Sequence, residues 1–118
     1  MLFQLSVQVH LDSAHRIPDY NGPCSNMHGH RWLVRAMWEF TKLGILGTAH
    51  DLVTLRKQLG VCIVDLDHAN LMQILKRPSA ELIAELIYKR LLERSESVPK
   101  PVWVEVEETP GQVVRFTP

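Results

Sequence analysis

The chain has 118 residues and a formal net charge of zero, because its 13 lysine and arginine residues are matched by 13 aspartate and glutamate residues. This balance excludes a general electrostatic attraction to nucleic acid or to an anionic membrane surface. The length is that of one domain, residues 1–118, which buries roughly 65% of the surface of its unfolded chain. We therefore expect a single globular domain with neither nucleic acid nor membrane as a partner.

The cysteines and the first residues indicate a cellular compartment. The first twelve residues alternate apolar and polar side chains instead of forming the apolar core of a signal peptide. No apolar run approaches the roughly 18 residues of a membrane span. Cys24 and Cys62 can form one disulfide, but without a secretion signal we expect free thiols. The sequence predicts a cytoplasmic protein.

Two strands are predicted in the first forty residues. Apolar residues at the odd positions of 3–11 alternate with polar ones, which is typical of a half-buried antiparallel strand. Continuing the alternation places His15 on the buried face. Residues 16–26 are rich in turn formers and predict a connection, after which a second strand covers about 27–40.

Two helices are predicted in the middle of the chain. Residues 48–51, Thr-Ala-His-Asp, look like a helix N-cap with an acidic residue in the first turn, and Gly60 or the residues after it should end or bend this helix. Ser79 is the expected cap of the second helix, with Glu81 in its first turn. The predicted packing residues are Leu52, Leu55 and Leu59 in the first helix and Leu82, Ile83, Leu86, Ile87 and Leu91 in the second.

The last part of the chain predicts a second pair of strands. Alternation returns over 102–106, and the residues Thr-Pro-Gly-Gln at 109–112 form a turn into a final strand that holds Val114 and Phe116. The order is therefore ββααββ. It predicts an α+β fold in which a four-stranded antiparallel sheet carries both helices on one face.

A histidine pair indicates a metal site. His28 and His30 are one residue apart on an extended segment and so point to the same face, with His15 as the natural third ligand. Three protein ligands with an open position are typical of catalytic zinc. The alternative is chance proximity, since the chain has six histidines. Gly29 favours the metal site because a strand glycine often marks close approach of a ligand or of another backbone, and Cys24 lies nearby.

Three other positions carry candidate chemistry. A carboxylate beside an imidazole, as in Asp67-His68, can fix the tautomer of the histidine and raise its basicity, although adjacent residues need not pair. Cys24 is either a small buried residue or a reactive thiolate. Glu108 continues the inward face of its strand, where a carboxylate needs a partner, unless the strand frays and leaves it at the surface.

Taken in order, these motifs resemble those of the 6-pyruvoyl-tetrahydropterin synthase and 6-carboxy-tetrahydropterin synthase family over nearly the whole chain. The three-residue gap between cysteine and histidine is like that of the 6-carboxy branch. The motifs that carry the resemblance are Ser13-Ala14-His15, similar to the family's Ala-Ala-His, and Cys24-x3-His28-Gly29-His30, Leu66-Asp67-His68-x2-Leu71 and Glu108-Thr109, which match its patterns.

The resemblance implies a T-fold whose protomers join edge to edge into a barrel, commonly a trimer stacked into a hexamer, with active sites between subunits. The implied substrate is 7,8-dihydroneopterin triphosphate, and the implied products are the 6-pyruvoyl or the 6-carboxy pterin. The implied zinc (Zn²⁺) ligands are His15, His28 and His30. Cys24 is the implied base that abstracts a proton from the substrate, and Asp67 with His68 is the acid–base partner of Cys24. Glu108 is the implied binding residue for the pterin ring.

The sequence also departs from the family pattern. The family usually has Asp-Phe where this chain has Thr48-Ala49, Pro-Thr-(Ser or Ala)-Glu-Asn where it has residues 78–82, and an aromatic residue at Leu11. The residues with implied chemical roles are all present, so the departures bear on pocket shape and substrate choice. Three hypotheses stay open: a zinc-dependent pterin synthase, a divergent T-fold paralogue that acts on another pterin, for example by side-chain cleavage, and a non-enzymatic zinc-binding or pterin-binding module.

Overall fold

The computed structural model of the chain describes residues 1–95 and 99–118. Its strands are β1 (Phe3–His15), β2 (His28–Phe40), β3 (Ala69–Asn70), β4 (Trp103–Thr109) and β5 (Gln112–Phe116). Its α-helices are α1 (Leu52–Cys62) and α2 (Ala80–Glu93), and short 3-10 turns occupy Pro23–Ser25 and Leu71–Gln73. The predicted two-layer α+β arrangement is confirmed.

The strands form one sheet in the order β3-β1-β2-β4-β5. The four long strands pair antiparallel, as predicted, whereas β3 runs parallel to β1. The predicted four-stranded sheet is therefore a five-stranded mixed sheet. The additional strand pairs only Ala69 with Ser13 and Asn70 with Ala14, and two residues are too few to give an alternating pattern in the sequence.

The core lies between the helices and the inward face of the sheet. Helix α1 packs on β1, and α2 packs on β4 and β5. Trp32 and Trp38 of β2 are the largest buried side chains. The buried residues of the two helices include Leu55, Leu59, Ile83, Ile87 and Leu91, as predicted, and Leu86 packs partly buried against them.

Two predicted packing residues are not in the core. Leu52 is 51% exposed, because it is the first residue of α1 and lies where the packing face begins. Leu82 is 41% exposed, because it lies off the helical stripe of Ile83 and Ile87. The sequence pattern therefore predicts a wider packing face than the one that is buried, because it includes apolar residues at the margin of each amphipathic helix.

The first helix starts later than its sequence signals indicate. Asp51, expected in the first turn, is itself the N-cap: its carboxylate accepts hydrogen bonds from the Val53 backbone N–H at 3.1 Å and from the Thr54 hydroxyl at 2.7 Å. These hydrogen bonds lower the pKa of Asp51. The helix ends at Cys62, shortly after Gly60, as predicted.

The remaining sequence expectations concern the cysteines and the membrane. Both cysteines are free thiols, with Cys62 buried at the end of α1 and Cys24 partly buried in the connection between β1 and β2. Among the described residues, no helix has the length and apolar character needed to cross a membrane.

Replacing the N-cap of α2 should destabilise the fold. The Ser79 hydroxyl accepts a hydrogen bond from the Leu82 backbone N–H at 3.2 Å, and Glu81 stands in the first turn, as predicted. We expect Ser79→Ala to lower the free energy of unfolding by about 1 kcal/mol, measured by urea denaturation, since an unpaired N–H is left at the helix start.

Ser95→Ala is the matched control. Ser95 lies just beyond the other end of α2, and its hydroxyl donates to the exposed carbonyl of Leu92. An equal loss of stability in the two variants would contradict a specific capping role for Ser79.

Candidate metal centre and neighbouring acid–base pair

Three histidines meet where β1 ends and β2 begins. The register of the two strands sets His15 opposite His28, and alternation along β2 turns His30 to the same side. The centroids of the His15 and His28 rings are 4.5 Å apart, as are those of His28 and His30, and those of His15 and His30 are 5.3 Å apart. The structure thus brings together all three histidines proposed from the sequence as metal ligands.

Backbone carbonyls fix the orientation of two of these rings. The Nδ1 atom of His15 lies 2.7 Å from the carbonyl oxygen of Pro78, and the Nδ1 atom of His28 lies 2.7 Å from that of Asn26. A carbonyl oxygen can only accept, so Nδ1 carries the proton in both rings. The Nε2 atoms are left with free lone pairs, which is the tautomer that binds a metal through Nε2.

Glu108 faces the histidines from β4. Its Oε1 atom is 3.2 Å from the His15 Nε2 atom and 3.3 Å from the His30 Nε2 atom. The strand does not fray before this residue, because β4 continues to Thr109. The pairing of β4 with β5 is irregular between Glu107 and Thr109, and such irregularities commonly re-aim a side chain.

The electrostatics of this cluster favour a cation. Burial lowers the pKa of His30, against the opposing effect of Glu108, and keeps the ring neutral at neutral pH. Since Nδ1 carries the proton of His15, its Nε2 atom and the Glu108 carboxylate oxygen are both acceptors. Within residues 1–95 and 99–118, the buried Nε2 atoms of His15 and His30 have no hydrogen-bond partner. One ligand atom from each of these four residues lies within 4.8 Å of the others, so the cluster can hold a metal ion.

Asp67 and His68 form a second cluster together with the side chain of Asp12. The Nδ1 atom of His68 is 3.1 Å from Oδ2 of Asp67, so the adjacent residues do pair. The Asp12 backbone holds both: its N–H donates to Oδ1 of Asp67 at 2.9 Å, and its carbonyl accepts from the His68 N–H at 2.6 Å. His68 takes a left-handed backbone conformation, with φ of 56°, and its side chain is 78% exposed.

Cys24 lies in the 3-10 turn between β1 and β2. Its carbonyl accepts a hydrogen bond from the Ile17 N–H at 2.7 Å, which closes the loop that follows His15. Of the two clusters found among the described residues, neither includes its thiol. A single chain therefore groups the histidines with Glu108, and Asp67 with His68, but leaves Cys24 apart.

Two adjoining cavities border the clusters. The first, of about 510 Å³, reaches from His30 to Glu108, and the second, of about 520 Å³, reaches from His30 to His68. Both are lined by Gly29 as well as by His30. The imidazole of His30 thus stands between a space lined by the Glu108 carboxylate and a space lined by the imidazole of His68.

Sequence reasoning missed the groups that support the site. Asp12 occupies an ordinary outward position of the alternating strand, and its role arises from backbone contacts with residues 67 and 68. Pro78 contributes a carbonyl, which every residue has. No residue type or spacing signals either contact. Asp12 can be recognised as a supporting residue only from the structure, because the pairing of β3 with β1 brings residues 67 and 68 beside it.

The fold and the site define an α+β protein with a candidate metal centre at the end of its central strand pair. A family model for 6-pyruvoyl tetrahydropterin synthase matches residues 4–118, so the chain belongs to that family, which consists of lyases of pterin metabolism, and its T-fold is confirmed. No curated protein sequence matches the chain.

Several solved structures share the fold. The 6-pyruvoyl tetrahydropterin synthase of Caenorhabditis elegans has a TM-score of 0.85 at 19% identity, covering 100% of this chain and 96% of that chain. An uncharacterized protein of Wolinella succinogenes has a TM-score of 0.82 at 17% identity, covering 99% and 98%. The 6-pyruvoyl tetrahydropterin synthase of Plasmodium vivax has a TM-score of 0.76 at 17% identity, covering 98% and 97%. At these identities the similarity establishes the fold.

The histidine cluster predicts about one bound metal ion per chain, and His28→Ala or His30→Ala should lower the occupancy strongly, because two nitrogen ligands seldom hold a catalytic zinc ion. Elemental analysis of the purified variants measures this. His50→Ala is the control, since His50 stacks on Phe40 and is not part of the cluster. Full metal content in a variant that lacks both His28 and His30 would rule the centre out.

Proposed function

We propose that the protein is a zinc-dependent lyase that acts on 7,8-dihydroneopterin triphosphate and forms the 6-carboxy or the 6-pyruvoyl tetrahydropterin. The observation that carries the proposal is the cluster of His15, His28 and His30, whose ring nitrogens meet a carboxylate beside two cavities. Family membership supports the pterin chemistry. The free thiols fit a cytoplasmic location.

The donor set fits zinc. Zinc accepts neutral imidazole and carboxylate ligands, and tetrahedral bonds of about 2.0–2.1 Å place ligand atoms roughly 3.3 Å apart. The distances from Glu108 Oε1 to the Nε2 atoms of His15 and His30 are 3.2 and 3.3 Å. When bound, zinc polarises oxygens of the substrate side chain and acidifies the adjacent C–H or O–H, so that modest bases work near neutral pH.

The chain supplies a proton-transfer group of its own. The Asp67 carboxylate lies 3.1 Å from Nδ1 of His68, where it can hold the imidazole with Nε2 directed outward to take or give a proton. Hydrogen bonding to the Asp12 N–H holds the carboxylate in place. Because the imidazole is exposed and lines the same cavity as His30, it can reach a substrate that lies over the metal centre.

Glu108 is suited to bind the pterin ring. The ring presents an exocyclic amine and a ring N–H side by side, and a carboxylate can accept both. The cavity that Glu108 lines also contains Leu33 and Pro110, which offer apolar surface to a flat ring. The same carboxylate lies within reach of the metal centre, so its two possible roles need a direct test.

We propose that the active site is completed between subunits. In our proposal Cys24 abstracts the substrate proton, yet its thiol belongs to neither cluster of the single chain. The edges of the sheet support self-association: β5 is terminal, and β3 covers β1 only at Ser13 and Ala14. Closing such edges into a barrel, as a trimer or a stacked hexamer, removes unpaired backbone groups.

The positions at which the sequence departs from the family pattern favour the synthase over a divergent paralogue. Within the described part of the chain, neither cavity is lined by Leu11, Thr48, Ser79 or Leu82. Leu11 belongs to the core, and Thr48 lies in an exposed loop. Within one subunit, the departures therefore lie outside the walls around Glu108, His30 and His68.

A product assay with 7,8-dihydroneopterin triphosphate tests the proposal. We expect Cys24→Ala to lower turnover by about 10²–10⁴-fold, the usual contribution of a proton-transfer group, with metal content and fold retained. Cys62→Ala is the control, since Cys62 is the buried last residue of α1 and lines neither cavity, and the variant should remain active. Loss of metal from the Cys24 variant would make the thiol a ligand instead of a base, and a wild-type protein without product would refute the assigned reaction.

Glu108→Gln separates ring binding from metal binding. The amide keeps the shape but turns one acceptor into a donor that faces a donor, so dihydroneopterin affinity should fall by about ten- to a hundredfold. Calorimetry measures the affinity, and elemental analysis measures zinc in the same samples. Weaker pterin binding with zinc retained supports a ring anchor, whereas loss of zinc would assign the carboxylate to the metal centre.

A further inference from the structure

Gly29 occupies a distinctive place in the candidate site. It lies in β2 between His28 and His30, on the outward face of the sheet, and it is exposed. It is also one of the two residues that line both cavities, His30 being the other. A side chain at position 29 would therefore enter the space where the two cavities meet.

Neither the backbone nor the packing of the chain requires a glycine at this position. The glycines with positive φ are Gly47 and Gly111, so Gly29 has a conformation open to other residues. A Cβ atom at Gly29 would meet only the carbonyl oxygen of Ser13, at 3.9 Å, an ordinary contact distance. Glycine inside a strand weakens the strand. The lack of a side chain at residue 29 leaves open space above the sheet.

The two cavities offer different chemistry on either side of this open space. The first combines the Glu108 carboxylate with apolar surface from Leu33 and Pro110, which suits a flat ring that carries hydrogen-bond donors. The second is mostly apolar, but His68 and Asn70 on its wall can hydrogen-bond the hydroxyl groups of a ligand side chain. A ligand that has both parts must cross β2 at residue 29.

We propose that Gly29 is a specificity-determining residue that lets the ring and the side chain of one pterin ligand occupy both cavities at once. The ring lies beside Glu108, the side chain passes over Gly29, and its hydroxyl groups lie between His30 and His68. This inference rests on the proposed function, since it assumes a pterin with a side chain at position 6 of the ring.

Two ligands and two variants test this role. Dihydroneopterin carries the side chain, whereas unsubstituted dihydropterin has the ring alone. For Gly29→Ala we expect the dihydroneopterin affinity to fall by about tenfold or more, the usual penalty for one misplaced carbon in a close-fitting pocket. Dihydropterin should bind as it does to the wild type, and zinc content and melting temperature should not fall. Gly29→Val should enlarge the difference between the two ligands.

Gly60→Ala is the matched control. A Cβ atom there meets nothing within 4 Å, and Gly60 lies in α1, away from both cavities, so binding of both ligands should be unchanged. Equal loss of both ligands in Gly29→Ala, unchanged affinity for both, or loss of zinc would each overturn the inference. Failure of the wild type to bind either ligand would instead reject the proposed function itself.

Discussion

The antiparallel pairing of β1 with β2 is the interaction on which the candidate site depends. The two strands pair along their full length in a register that sets Leu11 opposite Trp32 and His15 opposite His28. A slip of one residue would turn every side chain of one strand to the other face. The buried apolar pairs exclude that slip, so the same packing that stabilises the core also fixes the histidines as a group.

The support around the site comes mainly from backbone groups of chain segments that end beside it. The carbonyl before α2, that of Pro78, holds His15, and the backbone of Asp12 holds the Asp67-His68 pair. The Ser13 hydroxyl donates to the Leu66 carbonyl and secures the segment that leads into this pair. Backbone groups are as rigid as the elements that carry them, so the two clusters keep their geometry as long as the sheet and α2 remain packed.

The sequence predicts what repeats along the chain and misses what depends on contacts across space. The alternation in β1, β2 and β4 predicts three strands and the inward direction of His15, His28 and Glu108, because period 2 is a local property. The strand β3 is missed because its two residues are too few for an alternating pattern. The start of α1 is also missed, because Asp51 is the N-cap and not Thr48, three residues earlier.

In the two candidate clusters, too, the sequence predicts local features and misses those that depend on contacts between distant segments. Alternation predicts that the histidines lie on one face, and resemblance to the family assigns their chemistry. The support from Asp12 has no local signature, because it depends on pairing between strands far apart in the sequence. The distance of Cys24 from both clusters is equally beyond a sequence pattern, since a loop of turn formers can direct a thiol in many ways.

Two carboxylates of β4 differ in how their negative charge is balanced. Glu105 is 9% exposed, and its two oxygens lie 3.5 Å from Arg35 and 3.2 Å from Arg115, so its charge is balanced by permanent cations. Glu108, three residues further, has only His15 and His30 as charge partners within the described residues, and neither is a permanent cation. Each unsatisfied buried group costs about 1–3 kcal/mol.

A cation among these acceptors would relieve that cost. A ligand that binds only the folded state adds to the free energy of unfolding by an amount that grows with its concentration relative to its dissociation constant. A metal ion held by this cluster would therefore couple its binding to folding through the same four residues: His15, His28, His30 and Glu108. The contrast with Glu105 indicates that the cluster is not a general feature of the sheet, because β4 carries one carboxylate balanced by two arginines and another that faces only histidines within the described residues.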